Sequence, residues 1–280
     1  MISGVAMSTQ RRGCSEQAAG GADKRLVGRS FHRAAPGYDA VARLQRRVGD
    51  TLLSGLSCEF PPVTVLDVGA GTGYCTGRLI DQFPGSRVVA LDLAEGMLHR
   101  AREGLGDAGR LGLICADAEC LPLADATVDL VLSNLALQWC AGLPAVLTEF
   151  RRVLKRGGTV SFSTFGPATL SELREAWAQV DRHTHVLSFH SPQQVANAMA
   201  AEGFRGISAH SVIQVVDYPS VEALMRELKG LGAHNLTADR PRHLMGKHAM
   251  RRMMEVYRAG APDGRIRASF EVIYAHGWRA

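Results

Sequence analysis

The segment Val65-Leu66-Asp67-Val68-Gly69-Ala70-Gly71-Thr72-Gly73 sets three glycines at alternate positions directly after an apolar run. A strand entering such a turn can bend tightly and bring its backbone up to a ligand, because no Cβ stands in the way. Two carboxylates sharpen this. Asp67 precedes the turn, and Asp92 ends the next apolar run, nineteen residues after Gly73. A carboxylate in that place accepts hydrogen bonds from the ribose hydroxyls of a nucleoside. Asp117, closing a third apolar run within Cys115-Ala116-Asp117-Ala118-Glu119, is placed to accept from an adenine amino group, with a helix cap as the competing reading. Leu93 beside Asp92, Ala118 beside Asp117, and Asn134 and Gln138 past the fourth run complete the expected nucleoside shell. A dinucleotide oxidoreductase uses a similar turn, but its fingerprint requires glycine at the sixth position, and counting from Gly69 that position is Tyr74.

These residues need a scaffold, and the hydrophobic pattern supplies one. Apolar runs over 63–68, 88–91, 113–115, 128–133 and 159–164 alternate with helical periodicity over 74–83, 95–105 and 143–154. Short apolar strands separated by helices imply βαβ units and a parallel sheet buried on both faces. Before them, Val41, Leu44, Val48, Leu52, Leu53 and Leu56 recur at helical spacing. After residue 165 the rhythm breaks. Helices are expected over 169–180, 191–202, 220–230 and 247–258, and strands over 206–218 and 269–277. The fold class is therefore α/β: a doubly wound Rossmann-like sheet with an antiparallel edge and a helical cap over the carboxyl ends of the strands. The expected organisation is a disordered tail over 1–24, a helical lid over 25–60, a nucleotide-binding core over 61–166, and cap segments with the last strands over 167–280.

A chain of 280 residues, 46% hydrophobic and 21% charged, can bury one substantial core. No apolar window is long enough for a membrane span, and the first residues lack the apolar centre of a signal peptide, so a cytoplasmic protein without a membrane partner is expected. Six scattered cysteines without a C-x-x-C pair suggest neither zinc nor disulfides, and read as reduced, mostly buried fillers. The net charge of +5 is uneven: from Arg226 to Ala280 eleven Lys/Arg face five acids. A basic face suits an acidic partner, or is an ordinary solvated surface. No aromatic residues interleave with it as they do on nucleic-acid surfaces, so no nucleic-acid partner is expected.

The run from Val65 to Thr164, including Val153-Leu154-Lys155-Arg156-Gly157-Gly158, resembles the class I S-adenosylmethionine-dependent methyltransferases. That resemblance implies S-adenosylmethionine as cofactor. Three further segments are similar to the malonyl-[acyl-carrier protein] O-methyltransferases of biotin synthesis: Phe31-His32-Arg33-Ala34-Ala35-Pro36-Gly37-Tyr38-Asp39 followed by Leu44-Gln45-Arg46, then Asn134-Leu135-Ala136-Leu137-Gln138-Trp139-Cys140, and Leu228-Lys229-Gly230-Leu231-Gly232-Ala233-His234-Asn235. The implied reaction is methylation of the free carboxylate of a malonyl thioester, on malonyl-acyl carrier protein or malonyl-CoA, by a monomer.

Such a carboxylate is ionised at neutral pH, so attack on a sulfonium methyl needs alignment and dryness more than a strong base. Accordingly the sequence shows no Ser/His/Asp or Cys/His arrangement. A cation should hold the substrate acid, and Arg226 or Lys229, three residues apart on a cap helix, are the candidates; each is otherwise a solvated helix residue. Tyr38 could close over the methyl donor, or be core, and Trp139 could wall the site or be core. A plain loop role is expected for His234. The alternatives are a trans-aconitate-type or quinone-pathway methyltransferase, or a cofactor-binding protein without turnover. A wide apolar cleft would mark a quinone enzyme, and a tunnel ending at a cation a malonyl enzyme.

Overall fold

The computed structural model describes residues 23–106, 109–233, 247–261 and 263–280. The expected tail, apart from Asp23 and Lys24, and the segment holding His234 lie outside them. Helix α1 (Lys24–Ala34) opens the described chain, with the Asp23 carboxylate accepting the Arg25 and Leu26 N–H groups as its N-cap. Lys24 is therefore the first residue of α1 and not part of a disordered tail. A short helix α2 (Tyr38–Val41) leads into α3 (Arg43–Ser54), where Leu44, Val48, Leu52 and Leu53 form the buried stripe that the periodicity anticipated.

Five parallel strands follow: β1 (Thr64–Val68), β2 (Arg87–Asp92), β3 (Leu111–Cys115), β4 (Val128–Asn134) and β5 (Leu154–Phe165). Helices α4 (Tyr74–Gln82), α5 (Glu95–Leu105) and α6 (Leu143–Val153) connect them. Then come α7 (Ser171–Ala178), α8 (Pro192–Ala201), β6 (Phe204–Tyr218), α9 (Val221–Gly230), α10 (Lys247–Ala259) and β7 (Ile266–Arg279). The sheet order is β3-β2-β1-β4-β5-β7-β6, with β7 antiparallel to both β5 and β6. This is the expected doubly wound sheet with an antiparallel edge. The boundary drawn at 166 falls inside it, since β6 and β7 complete the same sheet. Strand β5 starts five residues earlier than the sequence suggested, because Gly157, at φ +75°, lets Lys155-Arg156-Gly157-Gly158 stay in the strand.

Alternation divides each strand between two cores. Val65, Leu130 and Leu132 face α3, α4 and the cap, while Leu66, Val131, Val160 and Phe162 face α6 and α8. Both faces are covered, which is why the parallel strands are apolar throughout. Helices α7, α9 and α10 pack together as the cap, and α8, opened by a Ser191–Gln194 capping box, lies against β6 and β7. No described helix is long and apolar enough to cross a membrane. Of the described cysteines only Cys75 is fully buried, and Cys115 is exposed, which corrects the reading of these thiols as mostly buried.

Candidate active site

The chain order reverses direction across the sheet between β1 and β4, and the crevice at the carboxyl ends of these strands is where such sheets bind ligands. Gly69, Gly71 and Gly73 have φ of +70°, +56° and +88°. Gly69 N and Ala70 N donate to Leu91 O at 2.7 and 3.0 Å, tying the turn to the end of β2. A Cβ on Gly69 would stand 2.2 Å from the Ala136 Cβ, so glycine is required by the loop beyond β4. At Gly73 the constraint is α5: a Cβ there would meet Ala101 and Leu105 at 3.0 Å. Gly73 accordingly starts α4 and packs two helices together, and is absent from the cleft lining, contrary to the expectation that it touches the cofactor.

A cleft of about 100 Å³ lies over the turn, lined by Gly69, Gly71, Asp92, Leu93, Asp117, Ala118 and Asn134 from the sheet side and by Val27, Phe31 and Tyr38 from the lid. Asp92 accepts Gly71 N at 2.9 Å through Oδ2 and Ala94 N at 2.8 Å through Oδ1. Burial pushes its carboxyl above the usual range, against these donors. Asp117 faces the cleft too, but accepts from Lys24 Nζ at 2.5 Å, and Lys24 also pairs with Glu119. Burial opposes the charge on Lys24, while the two carboxylates raise its pKa above the ordinary value. Helix α1 is thus tied to the position expected to read adenine, by a residue that the sequence reading left in the tail.

Tyr38 lines the cleft from the lid. Burial, and then the charges of Asp92 and Asp39, push its hydroxyl well above the usual range, so it remains a proton donor. Asn134 is fixed by donating to Gln45 O at 2.9 Å and accepting from Ser163 Oγ at 2.8 Å. Asp67 does not reach the cleft. It is 1% exposed, accepts from Thr76 Oγ1 at 2.6 Å, and is raised to about 7 by burial. It instead borders a small recess of about 40 Å³, continuous with the turn at Gly69 and Gly71, and walled by α3. There Arg46 Nε and Gln45 Oε1 are buried without a hydrogen-bond partner. The Arg46 guanidinium also stands 3.1 Å from Asp39 and 5.3 Å from the Tyr74 ring centroid. One orphaned donor and one orphaned acceptor, on consecutive residues that both line this recess, suit the carboxylate and amino group of an amino acid. Sequence reading missed both; its only signal was Leu44-Gln45-Arg46 itself.

Beyond the cleft, a cavity of about 420 Å³ opens beneath the cap, with mostly apolar walls including Phe165, Leu173, Trp177, Phe189 and Met250. Gln138 borders this cavity and not the cleft over the turn, where it was expected, its amide held by Leu135 O at 2.6 Å and Thr164 Oγ1 at 3.3 Å. Trp139 lines both spaces and packs edge-on against Phe31 at 5.4 Å. Of the two expected cations, Lys229 lines the cavity and Arg226 does not. Arg226 is exposed because it sits two residues, about 200° around the helix, from the buried Leu224. In place of the expected tunnel ending at a cation there is a wide apolar chamber with Lys229 in its lining.

The sheet, the glycine turn with Asp92 and the adjoining chamber define a class I methyltransferase. Residues 66–162 match the methyltransferase domain family. The malonyl-[acyl-carrier protein] O-methyltransferase of Methylococcus capsulatus is 49% identical over 255 residues, covering 90% of this chain and 93% of that one. The chain belongs to the malonyl-[acyl-carrier protein] O-methyltransferase family. The biotin biosynthesis bifunctional protein BioHC of Cellvibrio japonicus is 40% identical over 253 residues, which span 90% of this chain and 49% of that longer one. Among solved structures, the YcgJ protein of Bacillus subtilis superposes with a TM-score of 0.60 over 83% of this chain and 98% of that one, at 14% identity, a likeness of fold.

Proposed function

We propose that the chain transfers the methyl group of S-adenosylmethionine to the free carboxylate of a malonyl thioester borne by acyl carrier protein, forming the methyl ester at an early step of biotin (pimeloyl) synthesis. The observation that carries this is three neighbouring spaces that share lining residues: the cleft at Asp92, the recess with Arg46 and Gln45, and the apolar chamber past Gln138 and Trp139. The width and apolarity of the chamber alone would also suit a quinone. The 49% identity to a malonyl-[acyl-carrier protein] enzyme along nearly its whole length favours the malonyl thioester. The deciding experiment incubates purified protein with labelled methyl donor and malonyl thioesters on acyl carrier protein and on coenzyme A. Label in the methyl ester supports the proposal, and label in neither product defeats it.

S-Adenosylmethionine supplies an electrophilic methyl on a sulfonium when bound. Asp92 and the turn hold the nucleoside end, Arg46 and Gln45 the amino-acid end, and Tyr38 with Trp139 closes water out. Attack by a carboxylate on a sulfonium cancels two opposite charges, so apolar walls destabilise the charged reactants more than the neutral products. A carboxylate that is already ionised attacks without a base to deprotonate it. Arg46→Met is expected to weaken S-adenosylmethionine binding about tenfold, the cost of one charge-assisted hydrogen bond, with little change in KM for the malonyl thioester. Calorimetry checks the first and steady-state kinetics the second; unchanged calorimetric affinity would remove Arg46 from the site.

The basic C-terminal segment supports docking of an acidic carrier. Arg226, Lys229, Arg251 and Arg252 are exposed on α9 and α10, beside the chamber. Raising salt from 50 to 300 mM is expected to increase KM for the carrier-borne substrate roughly fivefold, and that for the coenzyme A form less, since screening shortens the reach of exposed charges. Equal salt dependence for both carriers would argue against docking through this face.

A further inference from the structure

The chamber beneath the cap contains one buried polar group that neither the fold nor the methyl donor employs. His185, in the loop between α7 and α8, lines the chamber with its side chain only 5% exposed. Its Nε2 is 2.8 Å from Asp181 Oδ1, and its ring stacks on Trp177 at 3.7 Å between centroids and an 11° interplanar angle. Asp181 also accepts the His183 N–H at 2.8 Å, which fixes the loop. Burial works against the charge on Asp181, but these two donors hold its carboxyl below the ordinary range, so the carboxylate is ionised and Nε2 carries a proton. The imidazole is thus fixed in both rotation and tautomer, while Nδ1 has no hydrogen-bond partner among the described residues.

Of the other polar groups of the chamber, Gln45 has a buried Oε1 without a partner, an oxygen that can only accept and so cannot hold an anion, and the rest are engaged or exposed. Glu227 accepts from Tyr218 Oη at 2.7 Å, Thr169 Oγ1 donates to Glu271 O at 3.0 Å, Gln138 is held at both ends of its amide, and Lys229 is exposed on α9. An acid entering this apolar space needs a donor inside it, because an unpaired buried charge is not tolerated. Arg226, outside the chamber, cannot serve. We propose that the Asp181–His185 pair is the carboxylate anchor of the substrate, His185 donating through Nδ1 to one oxygen of the malonyl carboxylate while Asp181 accepts Nε2–H from behind. With both ring nitrogens donating, Nε2 to Asp181 and Nδ1 to the substrate, the ring lies between two carboxylates within the chamber. A single donor binds one oxygen and leaves the other free to attack the methyl. A bidentate guanidinium would hold both oxygens and blunt the nucleophile.

The anchor rests on the proposed function, and its test separates the two. In the full-length enzyme, His185→Leu is expected to raise KM for malonyl thioester about 10- to 100-fold, the loss of one charge-assisted contact, with S-adenosylmethionine affinity unchanged. Inhibition by the neutral methyl malonyl thioester should change less than about twofold, because that ligand needs no anion partner. Asp181→Asn, which leaves the chamber wall intact, should show the same selective loss for the charged ligand at about 3- to 10-fold. Unchanged KM in either variant overturns the anchor. So does equal weakening of charged and neutral ligands, which would make the pair a structural wall. A parent enzyme that leaves malonyl thioesters unmethylated defeats the function and the anchor together. An active parent with unselective variants defeats the anchor alone.

Discussion

Asp92→Ala is expected to weaken S-adenosylmethionine binding by about 1 to 3 kcal/mol, roughly tenfold to more than a hundredfold, as two ribose hydroxyls lose a charged acceptor in a buried cleft. The carboxylate has a second task that sharpens the expectation. By accepting Gly71 N and Ala94 N it fixes the turn and the start of α5, so its removal also loosens the surface that meets the ligand. Asp92→Asn should recover little. Its amide can accept from only one of these two N–H groups and turns a donor toward the other. Calorimetry on both variants checks this; an Asn variant that binds as the parent does would show that neither the charge nor the double acceptance matters, and would remove Asp92 from the nucleoside site.

What the sequence could reveal depended on whether a residue's task is local in the chain. The turn, Asp92 and Leu93 were legible because strand, glycines and acid follow one another within thirty residues and each step has a backbone reason. The parallel strands were legible because burial on both faces leaves them apolar throughout. The tie between α1 and Asp117 was not: Lys24 and Asp117 are 93 residues apart, and nothing in the composition around Lys24 announces a partner. Arg46 looks like one more surface cation on an amphipathic helix until the orphaned Nε is seen against the recess. For Arg226 and Lys229 the spacing rule placed both on one side of α9, yet the face is decided by where Leu224 and Leu228 bury, and that puts only Lys229 on the chamber. His185 lies in a loop without periodicity, and only its spacing from Asp181 hinted at the pair.

The glycines of the turn separate folding from binding, and Gly69→Ala against Gly71→Ala tests that separation. At Gly69 an alanine would pay about 1 to 2 kcal/mol for its positive φ. It would also place a methyl 2.2 Å from the Ala136 Cβ. The Ala136 side is hard to move, because its neighbour Leu135 is itself held at φ +49° by bonds from its N–H to Ser163. Such overpacking typically adds about 1 to 3 kcal/mol. Gly69→Ala is therefore expected to lose about 2 to 5 kcal/mol of stability, a fall in Tm of roughly 5 to 15 °C for a domain this size, with activity lost as a consequence. Gly71→Ala bears the strain of φ +56° but its Cβ meets nothing within 4 Å. Gly71 lines both the cleft and the recess, and the proposed binding mode carries the methyl donor past it. Gly71→Ala should thus keep Tm within about 5 °C of the parent, since the strain alone is near 1 kcal/mol, yet weaken S-adenosylmethionine by about a hundredfold or more through direct overlap. Thermal melts and calorimetry on the same two proteins give both numbers. If Gly71→Ala binds the cofactor normally, the turn holds the sheet together and something else holds the ligand.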